Sequence, residues 1–182
     1  MIFHETPLDG AYVIEPEPHQ DHRGLLARNF CVEEFGEHGI DFHLVQAYQS
    51  RSNRRGTVRG LHYQVAPAAE SKLIRCINGA AHDVILDMRP DSPTYLQSFG
   101  VDLSADNRLG LYVPEMVAHA TQALTDGTEL LSLASRAYTP GCERGVRYDD
   151  LHLARHWPLP VVEVSDKDLA WAPVSPAVGV RH

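Results

Sequence analysis

From Lys72 to Ser135 the chain is cut into short apolar runs by turn-forming residues, and no run is long enough to sustain a helical period. "KLIRCI" (72–77) stops at Asn78-Gly79, a dipeptide suited to a tight hairpin turn. "HDVILDM" (82–88) follows and ends at "RPDSPT", and "RLGLYVP" (108–114) ends at a proline. "HATQAL" (119–124) runs into Asp126-Gly127, a second hairpin signal, and "TELLSLAS" (128–135) returns from it. Short strands at roughly ten-residue spacing predict an all-β sandwich or small barrel. The one helix expected is "VEEFGEHG" (32–39), closed by Gly39. The Pro-rich ends, 1–20 and 158–182, are expected to wrap the surface of a single domain covering 1–182. A barrel of this kind has a mouth, which is where a small ligand binds.

Composition narrows the ligand. The net charge of −8 lacks the broad basic face that nucleic acid requires. Positive charge is nevertheless concentrated in "RSNRRGTVRGLHYQ", where Arg51, Arg54, Arg55 and Arg59 fall within nine residues. Guanidinium groups bind phosphate oxygens in a two-pronged geometry, so two of these arginines are expected to clamp a diphosphate. The alternative is a solvated loop without a specific ligand. Three cysteines, Cys31, Cys76 and Cys142, have no paired spacing and read as reduced thiols. The N-terminal stretch lacks the pattern of a signal peptide, and no run reaches the ~18 apolar residues of a membrane span. A cytoplasmic protein is the expectation.

His62 lies on a predicted strand just beyond Gly60, aimed at one face. Ten residues on is Lys72, which with Lys167 makes up the whole lysine content of the chain. An ammonium in a water-poor pocket stabilises a developing oxyanion. Asp168, in "SDKD" (165–168), offers a carboxylate that could orient an imidazole, although spacing alone cannot pair it with His62. Read by itself, "SDKD" is an exposed acidic turn.

Taken together, "VRGLHYQ", "AESKLIRC", "LYVPEMVAHA", "AYTP", "RGVRYDD" and "SDKD" resemble the dTDP-4-dehydrorhamnose 3,5-epimerase family, in register from about Arg23 to Asp168. The resemblance implies a cupin-type β-jelly-roll and a homodimer. It implies a nucleotide-diphosphate sugar carrying a 4-keto-6-deoxyhexose as substrate, with no cofactor and no metal. By position, His62 is the implied base, Asp168 its orienting carboxylate and Lys72 the group that stabilises the enolate. Arg23 and Arg59 are implied contacts to the diphosphate and its neighbours. Gln46, His119 and Ser132 fall at further substrate-binding positions, and Tyr138 matches a second family tyrosine.

The chain departs from the family at several pocket positions. Ser132 stands where the family carries the tyrosine expected as acid on the face opposite the histidine. Tyr48 stands where Asn is usual. Met116, Val117, Ala120 and Thr121 replace Gly, Phe, Gly and Phe, and Leu25-Leu26 replace an aromatic pair that could stack on a base. The expected activity is epimerisation at one or both carbons flanking a C4 ketone, with Tyr138 or water as the donor. The alternatives are a non-catalytic sugar-nucleotide-binding cupin and a metal-dependent cupin oxygenase. The oxygenase is disfavoured because Gln64 follows Tyr63 where a His-x-His pair would be needed, although His62, Glu70 and His119 could be imagined as ligands.

Overall fold

The structure is a computed structural model and describes residues 1–153 and 156–174. Its elements begin with β1 (Ile2–Glu5), β2 (Tyr12–Glu15), β3 (His19–Asp21), β4 (Gly24–Leu26), α1 (Val32–Glu37), β5 (Gln46–Ser52) and β6 (Val58–Gln64). They continue with β7 (Lys72–Asn78), β8 (Ala80–Asp87), β9 (Ser98–Ser104), β10 (Gly110–Val113), β11 (Val117–Ala123), β12 (Thr128–Ala134), β13 (Glu143–Gly145) and α2 (Asp166–Leu169). Two antiparallel sheets face each other, one in the order β1-β2-β10-β7-β12-β5 and the other β13-β6-β11-β8-β9. From β5 onward, successive strands mostly alternate between the sheets, giving the jelly roll that the family resemblance implies and the sandwich that the strand spacing predicts.

Neither glycine turn closes a hairpin. Gly79 and Gly127 do adopt the positive φ values, +72° and +68°, that favour glycine. Yet β7 and β8 lie in different sheets, as do β11 and β12, so each turn carries the chain across the sandwich. Local turn chemistry specifies the reversal of the chain, not which sheet receives the next strand. The N-terminal segment also differs from expectation: β1 and β2 extend the six-stranded sheet beyond β10. Backbone bonds tie the C-terminal segment down, with the Val58 N–H donating to Glu163 O (2.9 Å) and the Val162 N–H to Gly56 O (3.1 Å). The rest of that segment, 175–182, lies outside the described residues.

Alternation along the strands divides the apolar residues into three groups. Ile74, Cys76, Ala81, Ile85, Leu103, Leu111, Val117 and Leu130 fill the space between the sheets. Burying each Leu or Ile contributes about 1.5–3 kcal/mol relative to leaving it exposed. Leu61, Val84, Leu86, Ala118 and Ala120 cover the outer face of the five-stranded sheet with Val146 and Leu153. On the outer face of the other sheet, α1 is too short to persist alone and is held by its one buried residue, Phe35. That ring meets Phe30 and Phe3 edge-on at centroid distances of 5.0 and 5.2 Å. As expected, Gly39 follows the helix in a left-handed conformation, φ +72°.

Candidate active site

Along β7 the inward-facing side chains change from a cation to weakly polar or apolar groups: Lys72, then Ile74 and Cys76. The two apolar residues belong to the core, and Lys72 opens into a cavity at the end of the sandwich. This cavity measures about 410 Å³ and is lined by His62, Lys72, His119, Ser132, Arg59 and Asp168, among others. A second lobe of about 280 Å³, lined by Gln46 and Tyr138, shares Tyr48, His62 and Lys72 with it. Residues of β5, β7 and β12 form one wall, and residues of β6 and β11 form the wall opposite.

Strict alternation would place Arg59 and His62, three residues apart, on opposite faces of β6. A bulge reverses this. His119 pairs with His62 and Thr121 with Arg59, so two steps on β11 match three on β6. Gly60 lies inside the bulge at φ +109°. A Cβ there would fall 2.5 Å from His119 O and 2.7 Å from Ala120 Cα, so only glycine fits. The glycine in "RGLH" is what lets the arginine and the histidine line the same cavity.

His62 Nε2 and Asp168 Oδ1 are 2.6 Å apart. The other carboxylate oxygen accepts the Gly60 N–H at 3.2 Å. "SDKD" is therefore not an exposed turn. Ser165 caps α2 by accepting the Asp168 N–H at 3.1 Å, and the single helical turn aims Asp168 inward, leaving it 3% exposed. Burial pushes its carboxyl upward, but the bond to His62, that ring's charge, the Gly60 N–H and Ser165 together hold it below the usual carboxylate range. A carboxylate in this position fixes the imidazole tautomer and supports positive charge on the ring.

Lys72 is buried and paired with Glu70 at 3.0 Å. His119 Nε2 lies 2.9 Å from Asp83 Oδ2, and Asp83 Oδ1 accepts the Thr121 hydroxyl at 2.8 Å. Asp83 thus forms a second His–Asp pair beneath the site, fully buried. Its only trace in the sequence is an acidic residue in the apolar strand "HDVILDM". Lys167 also lines the cavity and grips Glu143 at 2.6 and 2.7 Å. Gln46 accepts the Tyr138 N–H at 3.0 Å, which fixes the loop that carries Tyr138.

Of the four clustered arginines only Arg59 lines the cavity. It is braced by Ser52 Oγ (3.0 Å) and Arg51 O (2.8 Å). Arg51 projects from the other face of β5 to Glu129 at 2.9 Å, so the expected two-arginine clamp does not form within this run. Arg23 is also away from the cavity. It sits on the β3–β4 ribbon, which pairs with neither sheet, and its exposed guanidinium bonds Asp21. Tyr138 is 54% exposed, and its hydroxyl donates to Glu143 Oε2 at 3.3 Å.

Among the described residues no three His, Cys, Asp or Glu side chains converge as a metal site. His62, Glu70 and His119 each have a different partner: Asp168, Lys72 and Asp83. The three cysteines are free thiols. No helix among the described residues is long and apolar enough to cross a membrane.

Comparison with known proteins identifies the family. A family model described as dTDP-4-dehydrorhamnose 3,5-epimerase matches residues 5–175. A dTDP-4-dehydrorhamnose 3,5-epimerase from Methanothermobacter thermautotrophicus is 38% identical over 175 residues, covering 94% of each chain. The crystal structure of the enzyme of that name from Bacillus anthracis, with TDP and PPi bound, superposes with a TM-score of 0.91. It is 36% identical and covers 95% of this chain and 99% of its own. A 3'-monoepimerase from Streptomyces bikiniensis, solved with dTDP-quinovose, gives a TM-score of 0.86 at 33% identity, covering 93% and 86%. The chain belongs to the dTDP-4-dehydrorhamnose 3,5-epimerase family, a family of cupin-type isomerases.

Proposed function

We propose that the protein epimerises a nucleotide-diphosphate-linked 4-keto-6-deoxy sugar at carbon flanking the C4 ketone. The observation that carries this reading is the His62–Asp168 pair facing the same cavity as the Lys72 ammonium. Protons on C3 and C5 are acidified by the C4 carbonyl. His62 takes one, Asp168 supports the imidazolium that results, and the electron pair moves to the C4 oxygen as an enolate. Lys72 stabilises that oxyanion. The substrate's own carbonyl is the electron sink, so the reaction draws on no cofactor. Protonation of the carbon from the opposite face completes the inversion.

In this reading Arg59 and Lys167 meet the diphosphate and His119, Gln46 and Ser132 bound the sugar, which their shared lining of the two lobes supports. A cavity of about 410 Å³ suits a ligand of this size, within the ~300–1,000 Å³ typical of such sites. The relatives solved with TDP or dTDP-quinovose support a nucleotide-sugar ligand. The reading includes a homodimer. Leu26 on the β3–β4 ribbon is 75% exposed, an apolar side chain that a second copy would cover, and Arg23, which lies outside its own cavity, would then reach the cavity of that copy. Light scattering on the purified protein checks this, with a mass near twice 20.2 kDa expected.

The test is incubation with dTDP-4-keto-6-deoxyglucose in D₂O, followed by NMR. Deuterium at C3, C5 or both, with an inverted product, is the expected result, and the number of labelled carbons gives the number of centres. Tight nucleotide binding without exchange on any keto-sugar nucleotide would overturn the reading in favour of a binding protein.

A further inference from the structure

Inversion needs two groups on opposite sides of the sugar, and His62 supplies only one. It projects from the five-stranded sheet, so the proton donor must come from the six-stranded wall. On that wall Tyr48, Ser50 and Ser132 present hydroxyls to the cavity. Tyr48 is the one phenol among them, and a phenol is a far stronger acid than an aliphatic alcohol. It alternates inward with Gln46 and Ser50, while Gln49 and Arg51 turn outward to Glu129. It lies where the two lobes meet and lines both of them with His62 and Lys72.

The register makes the placement specific. Tyr48 is the direct cross-strand partner of Ser132, which β12 in turn pairs with Ile74 on β7. Paired Cα atoms in antiparallel strands lie ~4.5–5.5 Å apart, less than the length of a tyrosine side chain, so the Tyr48 ring can extend over the serine. Ser132 is 6% exposed and small, which leaves that space to its neighbour. The two departures noted in the sequence, Ser132 and Tyr48, are thus one paired exchange across two strands. Tyr138 is less suited: its hydroxyl is committed to Glu143, which Lys167 already holds.

We propose that Tyr48 is the catalytic acid, delivering its phenolic proton to the enolate carbon on the face opposite His62. The carbon–hydrogen bond forms from the enolate's C=C pair as the tyrosine O–H breaks, and the oxygen lone pair folds back to restore the C4 carbonyl. The phenolate recovers a proton from solvent through the open cavity, and the imidazolium of His62 loses its own. This inference rests on the epimerase reading.

The experiment compares wild type, Tyr48→Phe and the double variant Tyr48→Asn/Ser132→Tyr on dTDP-4-keto-6-deoxyglucose in D₂O. Tyr48→Phe removes one oxygen from a side chain that is 40% exposed, so folding is not at risk. Inverted product should fall by about 10²-fold or more, while deuterium still enters the substrate because His62 removes and returns protons on its own face. The double variant, which moves the phenol to the paired strand, should recover inversion. Tyr48→Phe inverting at the wild-type rate, or losing exchange and inversion together, would overturn the assignment and leave the epimerase reading intact. Wild type that neither exchanges nor inverts would overturn both.

Discussion

Gly60→Ala puts the backbone of the site under direct test. The added methyl would lie 2.5 Å from His119 O, 2.7 Å from Ala120 Cα and 2.8 Å from Ala120 Cβ. The first two are main-chain atoms of a central strand and cannot rotate away. The residue must also hold φ +109°, a conformation that costs any L side chain energy. Overpacking and backbone strain each cost about 1–3 kcal/mol, so roughly 3 kcal/mol of stability should be lost. For a chain of this length the melting temperature then falls by about 6–12 °C. Activity should fall further than stability. Relieving the clash displaces the N–H that holds Asp168 and alters the bulge that brings Arg59 and His62 together. Calorimetry and a turnover assay on folded protein measure the two effects. Gly36→Ala in α1, where the new methyl meets nothing within 4 Å, is the control and should melt at or slightly above wild type. A Gly60→Ala protein with wild-type melting and turnover would refute the close-approach argument.

Other consequences are more local. Asp87 is fully buried at the end of β8. Burial alone would raise its carboxyl, but bonds from Arg89, Ser92 and Thr94 hold it down at about 2, against an ordinary value of 3.8. Because the folded value is the lower one, its contribution of about 2 kcal/mol is present above pH ~4 and disappears as the pH falls towards 2. Denaturant melts of Asp87→Asn should therefore lack this component of acid sensitivity and be less stable at pH 7. Asp168→Asn should lower kcat by about 10²-fold or more with KM little changed, since the carboxylate acts through His62; steady-state kinetics decides. Asp83→Asn removes the charge that bonds His119 and Thr121, and substrate affinity measured by calorimetry should weaken.

Much of the architecture can be read in the sequence because strand alternation and turn residues are local signals. "KLIRCI", "HDVILDM" and "TELLSLAS" all become strands close to the expected bounds. Which strands pair is a long-range property, so Asn78-Gly79 and Asp126-Gly127 read as hairpins although both cross between sheets. The assignment of His62, Lys72 and Asp168 to one site came from family resemblance, and the structure adds the reasons they meet. Those reasons are the bulge at Gly60 and the Ser165-capped turn, neither of which follows from residue spacing. The role of Asp83 is not legible in "HDVILDM", because it depends on which strand runs beside β8. The outer arginines of the run are illegible for the complementary reason: charge in the sequence does not reveal which face of a strand it will occupy, and Arg51 turns away from the cavity to Glu129.

The central claim is that His62 is the base, set by Asp168 and facing a substrate whose enolate Lys72 receives. Deuterium incorporation by His62→Asn, measured alongside its nucleotide affinity, tests this most directly. The account predicts that exchange is abolished while dTDP binds as it does to wild type. Exchange continuing at the wild-type rate in a folded His62→Asn protein would contradict it.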